Sequence, residues 1–173
     1  MEITTLQELL EHEIRDLYSA EEQIIDALPD MIDAAHDGEL QTALRGHLEA
    51  TRRHMSRLEE LARVLDFEPT GVKCEGIRGI LKEGGKLVGS EVDEEDVRDA
   101  AIIAAAQRVE HYEIASYGTA RTFARMLGEE EAARMLEETL QEEKEADVRL
   151  TDIAEDQSVK NRTFSLIARY LCR

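Results

Sequence analysis

Long stretches of strong helix formers, with very few helix-breaking residues between them, are the feature that most constrains this sequence. Only two prolines and ten glycines occur in 173 residues. Ala, Leu, Glu and Arg, which all favour helices, dominate the remainder. Runs of alternating β-branched residues, which are typical of strands, do not occur in the sequence. The sequence therefore predicts an all-α protein.

Capping residues, glycines and prolines divide the chain into four long helices and one short helix. The pair Thr5 and Glu8 has the spacing of a capping box, which predicts the start of the first helix. Gly128 predicts the end of the third long helix. The predicted elements are a first helix from Thr4 or Thr5 to His36, a second from about Glu39 to Leu65, a short crossover helix over 74–88, a third long helix that begins between Glu91 and Val97 and ends at Leu127, and a fourth from about Glu129 to Asp156.

Four helices of about thirty residues, with short turns and one longer crossover, are typical of a four-helix bundle. We expect this bundle to occupy residues 1–156. Residues 157–173 contain four basic residues and no acidic residue, unlike the rest of the chain. They are predicted to form a separate tail that is either docked on another surface or disordered.

The charge of the chain argues against several classes of partner. Lys and Arg total 21 against 39 Asp and Glu, which gives a net charge of −18. Such a charge opposes binding to nucleic acids and to anionic membranes. Two cysteines and an acidic N-terminal stretch without a signal-peptide pattern predict a cytoplasmic location. The excess of Arg over Lys, 16 against 5, also suits a salt-loving source, although an acidic protein from ordinary salt would have the same composition.

Each long helix carries polar residues in the middle of its apolar stripe. Following each helix in steps of three and four residues brings carboxylates or imidazoles onto the face that should point inward. Because the centres of antiparallel helices of similar length lie at one level, we expect these side chains to converge. The predicted inward residues are Glu21 on the first helix, His47 and His54 on the second, Glu110 and Glu113 on the third, and Glu143 and Asp147 on the fourth.

A buried layer of carboxylates needs compensating positive charge, because a buried ionised carboxylate without a partner costs several kcal/mol or more. Two divalent or trivalent metal ions would supply this charge, since carboxylates bridge hard ions and imidazoles serve as terminal ligands. The alternative is a core without metal, in which protonated carboxylates and hydrogen-bonded histidines satisfy one another.

Four segments carry a resemblance to a known family. They are residues 16–23 (DLYSAEEQ), 47–51 (HLEAT), 107–118 (QRVEHYEIASYG) and 142–147 (EEKEAD). In this order and spacing they resemble the YciF-like family of bacterial and archaeal stress proteins, over roughly residues 3–155. The tail after Asp156 is not covered.

The resemblance implies a ferritin-like, rubrerythrin-related bundle that forms a homodimer and holds a di-iron site. Six positions match the family's motif: Glu21, His47, Glu110, Glu113, Glu143 and Asp147. Two positions depart from it, because Ala50 stands where the family commonly has Glu, and His54 where it often has Gln. If the family's Glu at position 50 is a metal ligand, His54 is a candidate to replace it.

Three functions stay open at this point. The first is a di-metal oxidoreductase, in which two iron ions per chain, or manganese in their place, react with dioxygen or peroxide or in which Fe(II) is oxidised. The second is a metal-free or vestigial bundle that serves as a stress-linked interaction or structural module. The third, ranked last, is weak sequestration of cations on the acidic surface.

Overall fold

The computed structural model describes residues 3–89 and 94–171, with side chains up to residue 156. No strand occurs within these ranges, which confirms the prediction of an all-α fold. The described chain forms five helices: α1 (Leu6–Ala34), α2 (Gly38–Val64), α3 (Glu75–Val88), α4 (Glu95–Leu127) and α5 (Glu130–Leu171).

Predicted capping residues lie at the start of α1 and at the end of α4, whereas α1 ends earlier than predicted. The capping box between Thr5 and Glu8 is present as predicted, and Gly128 adopts the left-handed conformation with φ 79° after α4. The first helix ends earlier than His36, because the Asp37 carboxylate accepts hydrogen bonds from the next turn and caps α2. Gly38 is therefore the first residue of α2.

The four long helices α1, α2, α4 and α5 form the bundle, and α3 packs across α4 and α1. Two separate apolar clusters fill the core. One contains the C-terminal half of α1 with residues 40–44 of α2, and the other contains the N-terminal half of α1 with Leu58 and Leu61 of α2. The same division holds along α4 and α5. The core is thus interrupted at the level of the predicted polar layer.

The crossover segment is fixed to the bundle through Cys74. Its backbone N–H donates to Ser19 Oγ at 3.2 Å, and its carbonyl accepts from Gln23 Nε2 at 3.1 Å. The Cys74 Sγ lies 3.0 Å from Tyr112 Oη, which in turn donates to Asp16 Oδ2 at 2.9 Å. These bonds hold the start of α3 against α1 and α4, beside the centre of the bundle.

The fourth long helix is longer than predicted. It continues past Asp156 to Leu171, because neither Pro nor Gly interrupts residues 157–171 and a change of charge does not end a helix. The predicted choice between a docked and a disordered tail depends on side chains that lie outside the described residues. Among the helices of the described part, none combines the length and the apolar character needed to cross a membrane.

Candidate metal centre

Six of the seven predicted site residues meet between the two apolar clusters. The steps of three and four residues place them on the inward faces of their helices, as the stripes predicted. Five of the six side chains are fully or almost fully buried, and His47 is 9% exposed. The six are Glu21 of α1, His47 and His54 of α2, Glu110 and Glu113 of α4, and Glu143 of α5.

These residues form two groups that share one carboxylate. The first group consists of His47, Glu110, Glu113 and Glu143, and the second of Glu21, His54 and Glu143. Within each group, one nitrogen or oxygen atom from every residue lies within 4.8 Å of the others. Either group could hold a metal ion, and Glu143 belongs to both groups.

In the first group, His47 lies between two carboxylates. Its Nε2 is 3.4 Å from Glu110 Oε1, and its Nδ1 is 4.0 Å from Glu143 Oε2. In the second group, His54 Nδ1 lies 2.8 Å from Glu143 Oε1 and 3.6 Å from Glu21 Oε1. His47 Nε2 and His54 Nδ1 both lack a hydrogen-bond partner despite these short distances.

Many buried polar atoms of the site therefore have no hydrogen-bond partner in the described structure. Buried polar atoms in native proteins are nearly always paired, so each unpaired atom calls for an explanation. A shared cation at the centre of each group would satisfy them together. The unpartnered atoms are Glu21 Oε2, His47 Nε2, His54 Nδ1, Glu110 Oε2 and both carboxylate oxygens of Glu113 and Glu143.

Burial changes the acidity of three carboxyl groups in the same direction. It raises the pKa of Glu21 to about 8. It also raises the pKa values of Glu110 and Glu113 well above the ordinary value, and the nearby Glu143 charge adds to both shifts. Without a cation, burial therefore favours the neutral acid form of all three groups.

Glu143 and His54 shift in the opposite sense and act as a pair. Burial alone would raise the pKa of Glu143, but the His54 and His47 imidazoles lower it. Burial likewise opposes the charged form of His54, yet its contact with Glu143 raises the His54 pKa. Burial lowers the pKa of His47. These shifts favour an ion pair between His54 and Glu143 in the metal-free centre, and a metal ion would displace protons from the site.

Two residues that the sequence analysis left aside orient the site. Glu142, which was assigned to a solvated face, lies with Oε2 2.5 Å from His54 Nε2. Arg57 donates to the other Glu142 oxygen at 3.1 Å, and its NH1 donates to Thr139 at 2.5 Å. The sequence contained one indication of this arrangement, because Arg57 lies about one turn after His54 on the same helix. It could not be recognised without knowing which face of α5 lies opposite.

Tyr117 contacts the second group through Glu21. Its side chain is fully buried, and its hydroxyl donates a short hydrogen bond to Glu21 Oε1. Burial raises the pKa of Tyr117 well above its ordinary value, and the Glu21 charge adds to the shift. The phenol therefore stays protonated and fixes one oxygen of Glu21.

Asp147, the seventh predicted ligand, lies outside both groups. Its Oδ1 accepts from Gln107 Nε2 at 3.3 Å and lies 3.4 Å from His111 Nε2. The side chain is 21% exposed. Asp147 lies four residues beyond Glu143 on α5, which is slightly more than one helical turn. Its side chain is therefore rotated away from the centre and toward the surface. Ala50 also adds no ligand, and it lines a cavity beside His47 and Glu110.

Solved structures with this fold include two close relatives. The E. coli stress protein YciF has 40% sequence identity and a TM-score of 0.88, and the match covers 91% of this chain and 99% of that one. A Rhodopseudomonas palustris protein, named YcfI and proposed to be structural, has 44% identity and a TM-score of 0.84 over 87% of this chain and 95% of that chain. A Xanthomonas campestris protein of 22% identity shares the fold with a TM-score of 0.71.

Comparison of the sequence leads to the same family. Protein YciF of E. coli strain K12 is 41% identical over 155 residues, which covers 89% of this chain and 93% of that protein. Residues 5–163 match the model of a domain of unknown function, DUF892. The resemblance to the YciF-like family and the ferritin-like fold are confirmed. The chain belongs to the DUF892 family of YciF-type stress proteins.

Proposed function

We propose that this protein is a stress-linked di-metal carboxylate protein, which holds two iron ions per chain and uses them to oxidise Fe(II) or to reduce dioxygen or peroxide. The observation that carries the proposal is the pair of buried donor groups sharing Glu143, with unpartnered ligand atoms in both groups. Two ions at these positions would place every one of the six side chains in a bonding role.

The donor set favours hard or borderline cations. Four carboxylates and two imidazoles suit iron, manganese and zinc, and they contain no soft sulfur ligand. Fully ionised, the four carboxylates carry a charge of −4, which two divalent ions would balance. We select iron because the family resemblance implies a di-iron site, and manganese is the second metal to test. When bound, two ferrous ions would supply the two electrons that, with two protons, reduce one hydrogen peroxide to two water molecules.

The residues around the donors prepare the site for this chemistry. Glu142 is placed to accept a hydrogen bond from His54 Nε2, so that once a metal ion displaces the proton on Nδ1, the Nδ1 lone pair would face Glu21 and Glu143. Tyr117 holds one oxygen of Glu21 and leaves the other free. The two apolar clusters, one on each side of the centre along the bundle, limit its contact with bulk water, so that charges at the centre interact strongly.

A metal-free structural module is the second candidate. It is favoured by the description of the R. palustris relative as a structural protein and by the raised pKa values, which allow Glu110 and Glu113 to be neutral acids. On this reading the His54 and Glu143 pair satisfies the remaining charge. We further propose that the protein acts as a homodimer, which the family resemblance supports, and that it is cytoplasmic, which its low cysteine content supports.

Metal stoichiometry distinguishes the two candidates. The protein is loaded anaerobically with Fe(II), desalted and measured by elemental analysis, and its near-ultraviolet spectrum is followed when air is admitted. We expect two irons per chain and a new absorption band. Glu21→Gln should retain one iron, Glu113→Gln should retain one, and Glu143→Gln should lose both because it belongs to both groups.

Exposed Glu131 on α5 gives the matched control, since Glu131→Gln should still bind two irons. A wild-type protein that holds no iron, manganese or zinc, with the same melting temperature before and after chelation, would establish the metal-free module instead. A metal site should raise that temperature by mass action.

A further inference from the structure

An apolar cavity of about 240 Å³ lies between α2 and α5 and reaches the metal centre. It exists because small residues meet there. Ala43, Gly46 and Ala50 follow one another at helical spacing on α2, and Ala146 lies across from them on α5. Ile24 and Leu28 of α1, with Val109 of α4, supply further apolar walls.

The inner end of the cavity is polar. His47 and Glu110 both line it, and their side chains are only 9% and 3% exposed. His47 Nε2 and Glu110 Oε2 have no hydrogen-bond partner among the described residues. Thus two buried polar atoms are available to a molecule that enters the cavity.

The outer walls carry charges of both signs, Arg53 and Arg149 against Glu142 and Glu145. Arg149 pairs with Glu39 at 2.7 Å, and Glu142 is engaged by His54 and Arg57. The cavity therefore has no excess of one charge to attract an ionic ligand, and its interior favours apolar matter.

From these observations we infer that the cavity binds a small uncharged organic molecule with an apolar body and one hydroxyl or carbonyl end, and that this end lies against His47 and Glu110. A dry cavity of about 150 Å³ binds benzene, whereas drug-sized ligands occupy pockets of about 300–1,000 Å³. A volume of about 240 Å³ thus suits a molecule between these sizes.

The inference deepens the proposed function, and it rests on that function in one respect. An ion held by His47 and Glu110 would face the cavity, so the polar end of the ligand would lie beside the metal. The occupancy of the cavity can nevertheless be tested without any metal.

The test uses 1-hexanol as the probe on chelator-treated full-length protein, observed by ligand NMR. We expect saturable binding, and contacts from the C1 methylene protons of hexanol to the His47 ring that exceed those from its methyl group. Ala50→Leu and Ala146→Leu fill the cavity and should weaken binding at least tenfold. Ala115→Leu, on an exposed face of α4, should leave it unchanged.

Circular dichroism and melting temperature establish that each variant is folded. The inference is overturned by a wild-type protein that does not bind hexanol, or by cavity variants that both bind hexanol as tightly as wild type does. It is also overturned by methyl contacts that dominate at His47, or by hexanoate binding more tightly than hexanol. Iron stoichiometry is measured on the same preparations. Hexanol binding without iron binding would contradict the proposed function and leave the cavity assignment intact. Iron binding without hexanol binding would support the proposed function and contradict the cavity assignment.

Discussion

Orientation of His54 depends on a residue that is itself outside the donor groups. The Glu142 carboxylate contacts His54 Nε2 on one side and is held by Arg57 on the other. Partners of this kind fix the tautomer and the ring orientation of a metal-binding histidine. The geometry of the second group is therefore set from α5 as much as from α2.

Removing the Glu142 carboxylate should weaken metal binding without removing a ligand. We expect Glu142→Gln to lower iron affinity by about ten- to a hundredfold, which is typical for the loss of such a partner. Glu138→Gln is the matched control, because Glu138 also pairs with Arg57 but does not contact His54. Affinities come from competition with a chromogenic chelator. Equal losses in both variants would contradict the role of Glu142.

The raised carboxyl pKa values predict how the metal-free protein responds to pH. A carboxyl whose pKa rises on folding, from 4.5 to about 8 for Glu21, binds more protons in the folded state between these values. Its contribution to stability is full below pH 4.5 and is lost as pH rises toward 8. The melting temperature of chelated protein should therefore fall from pH 5 to pH 8.

Glu21→Gln serves as the comparison for this series, since it cannot ionise and should show a shallower fall. The difference between the two proteins removes the contribution of surface charge, which is nearly the same in both. A melting temperature that rises over this range, or equal slopes in the two proteins, would argue against neutral carboxyls at the centre.

Sequence periodicity predicted the inward residues because carboxylates and imidazoles on an apolar stripe are easily recognised. Glu21, His47, His54, Glu110, Glu113 and Glu143 all reach the centre. The position of Asp147 was not predictable in the same way. A stripe drifts around a straight helix, so a residue one turn from the centre can lie inside or at the edge. Only the packing of α4 against α5 decides between them.

The turn between α1 and α2 is held by α4, a contact between elements that are distant in sequence. Asp99 is buried, and its two carboxylate oxygens accept the backbone N–H groups of His36 and Asp37, each at 2.8 Å. These bonds satisfy two donors that would otherwise be unpaired. They fix the angle at which α2 leaves α1, and hence the depth at which His47 and His54 lie.

Loss of the Asp99 carboxylate should destabilise the fold markedly. We expect Asp99→Ala to lower the free energy of unfolding by about 2–4 kcal/mol, because it leaves two backbone donors unsatisfied. Asp96→Ala, an exposed change in the first turn of the same helix, should cost about 0.3–1 kcal/mol through the helix dipole. Urea unfolding measures both values. A similar cost for the two changes would contradict the capping role.

Capping and turn chemistry made most helix ends predictable, whereas the role of Asp99 was not. Thr5, Glu8 and Gly128 act through neighbours a few residues away, which a sequence displays directly. Asp99 acts across more than sixty residues. Its partners are backbone groups, which every residue carries, so no side-chain pattern indicates them.

The whole molecule carries an excess of negative charge that opposes compactness. With a formal charge of −18, exposed carboxylates repel one another in the folded state more than in the expanded chain. Added salt screens this repulsion, since the Debye length falls from about 10 Å at 0.1 M to about 3 Å at 1 M.

Stability should accordingly rise with salt. We expect the melting temperature to increase from 0.05 M to 1 M sodium chloride at pH 7.5, with a smaller increase at pH 5, where part of the carboxylates are protonated. Differential scanning calorimetry of the chelated protein gives the comparison. A flat series at pH 7.5 would show that charge repulsion contributes little to its stability.

For the whole molecule, the sequence predicted the four-helix bundle, because four long amphipathic helices have few other ways to bury their apolar faces. It did not predict the cavity beside His47. Small residues such as Gly46 and Ala50 favour close helix contact as readily as an open space. The length of a side chain across the gap decides the outcome, and this is a property of the assembled structure.

The donor residues come from α1, α2, α4 and α5, so the two groups connect positions from residue 21 to residue 143. A bound ion would act as a cross-link of the chain, closing loops between distant segments in the way that a disulfide does. Because Glu143 belongs to both groups, the two cross-links would share this residue. No single helix of the bundle could then detach without releasing metal, so amide exchange at the centre should report on ion loss.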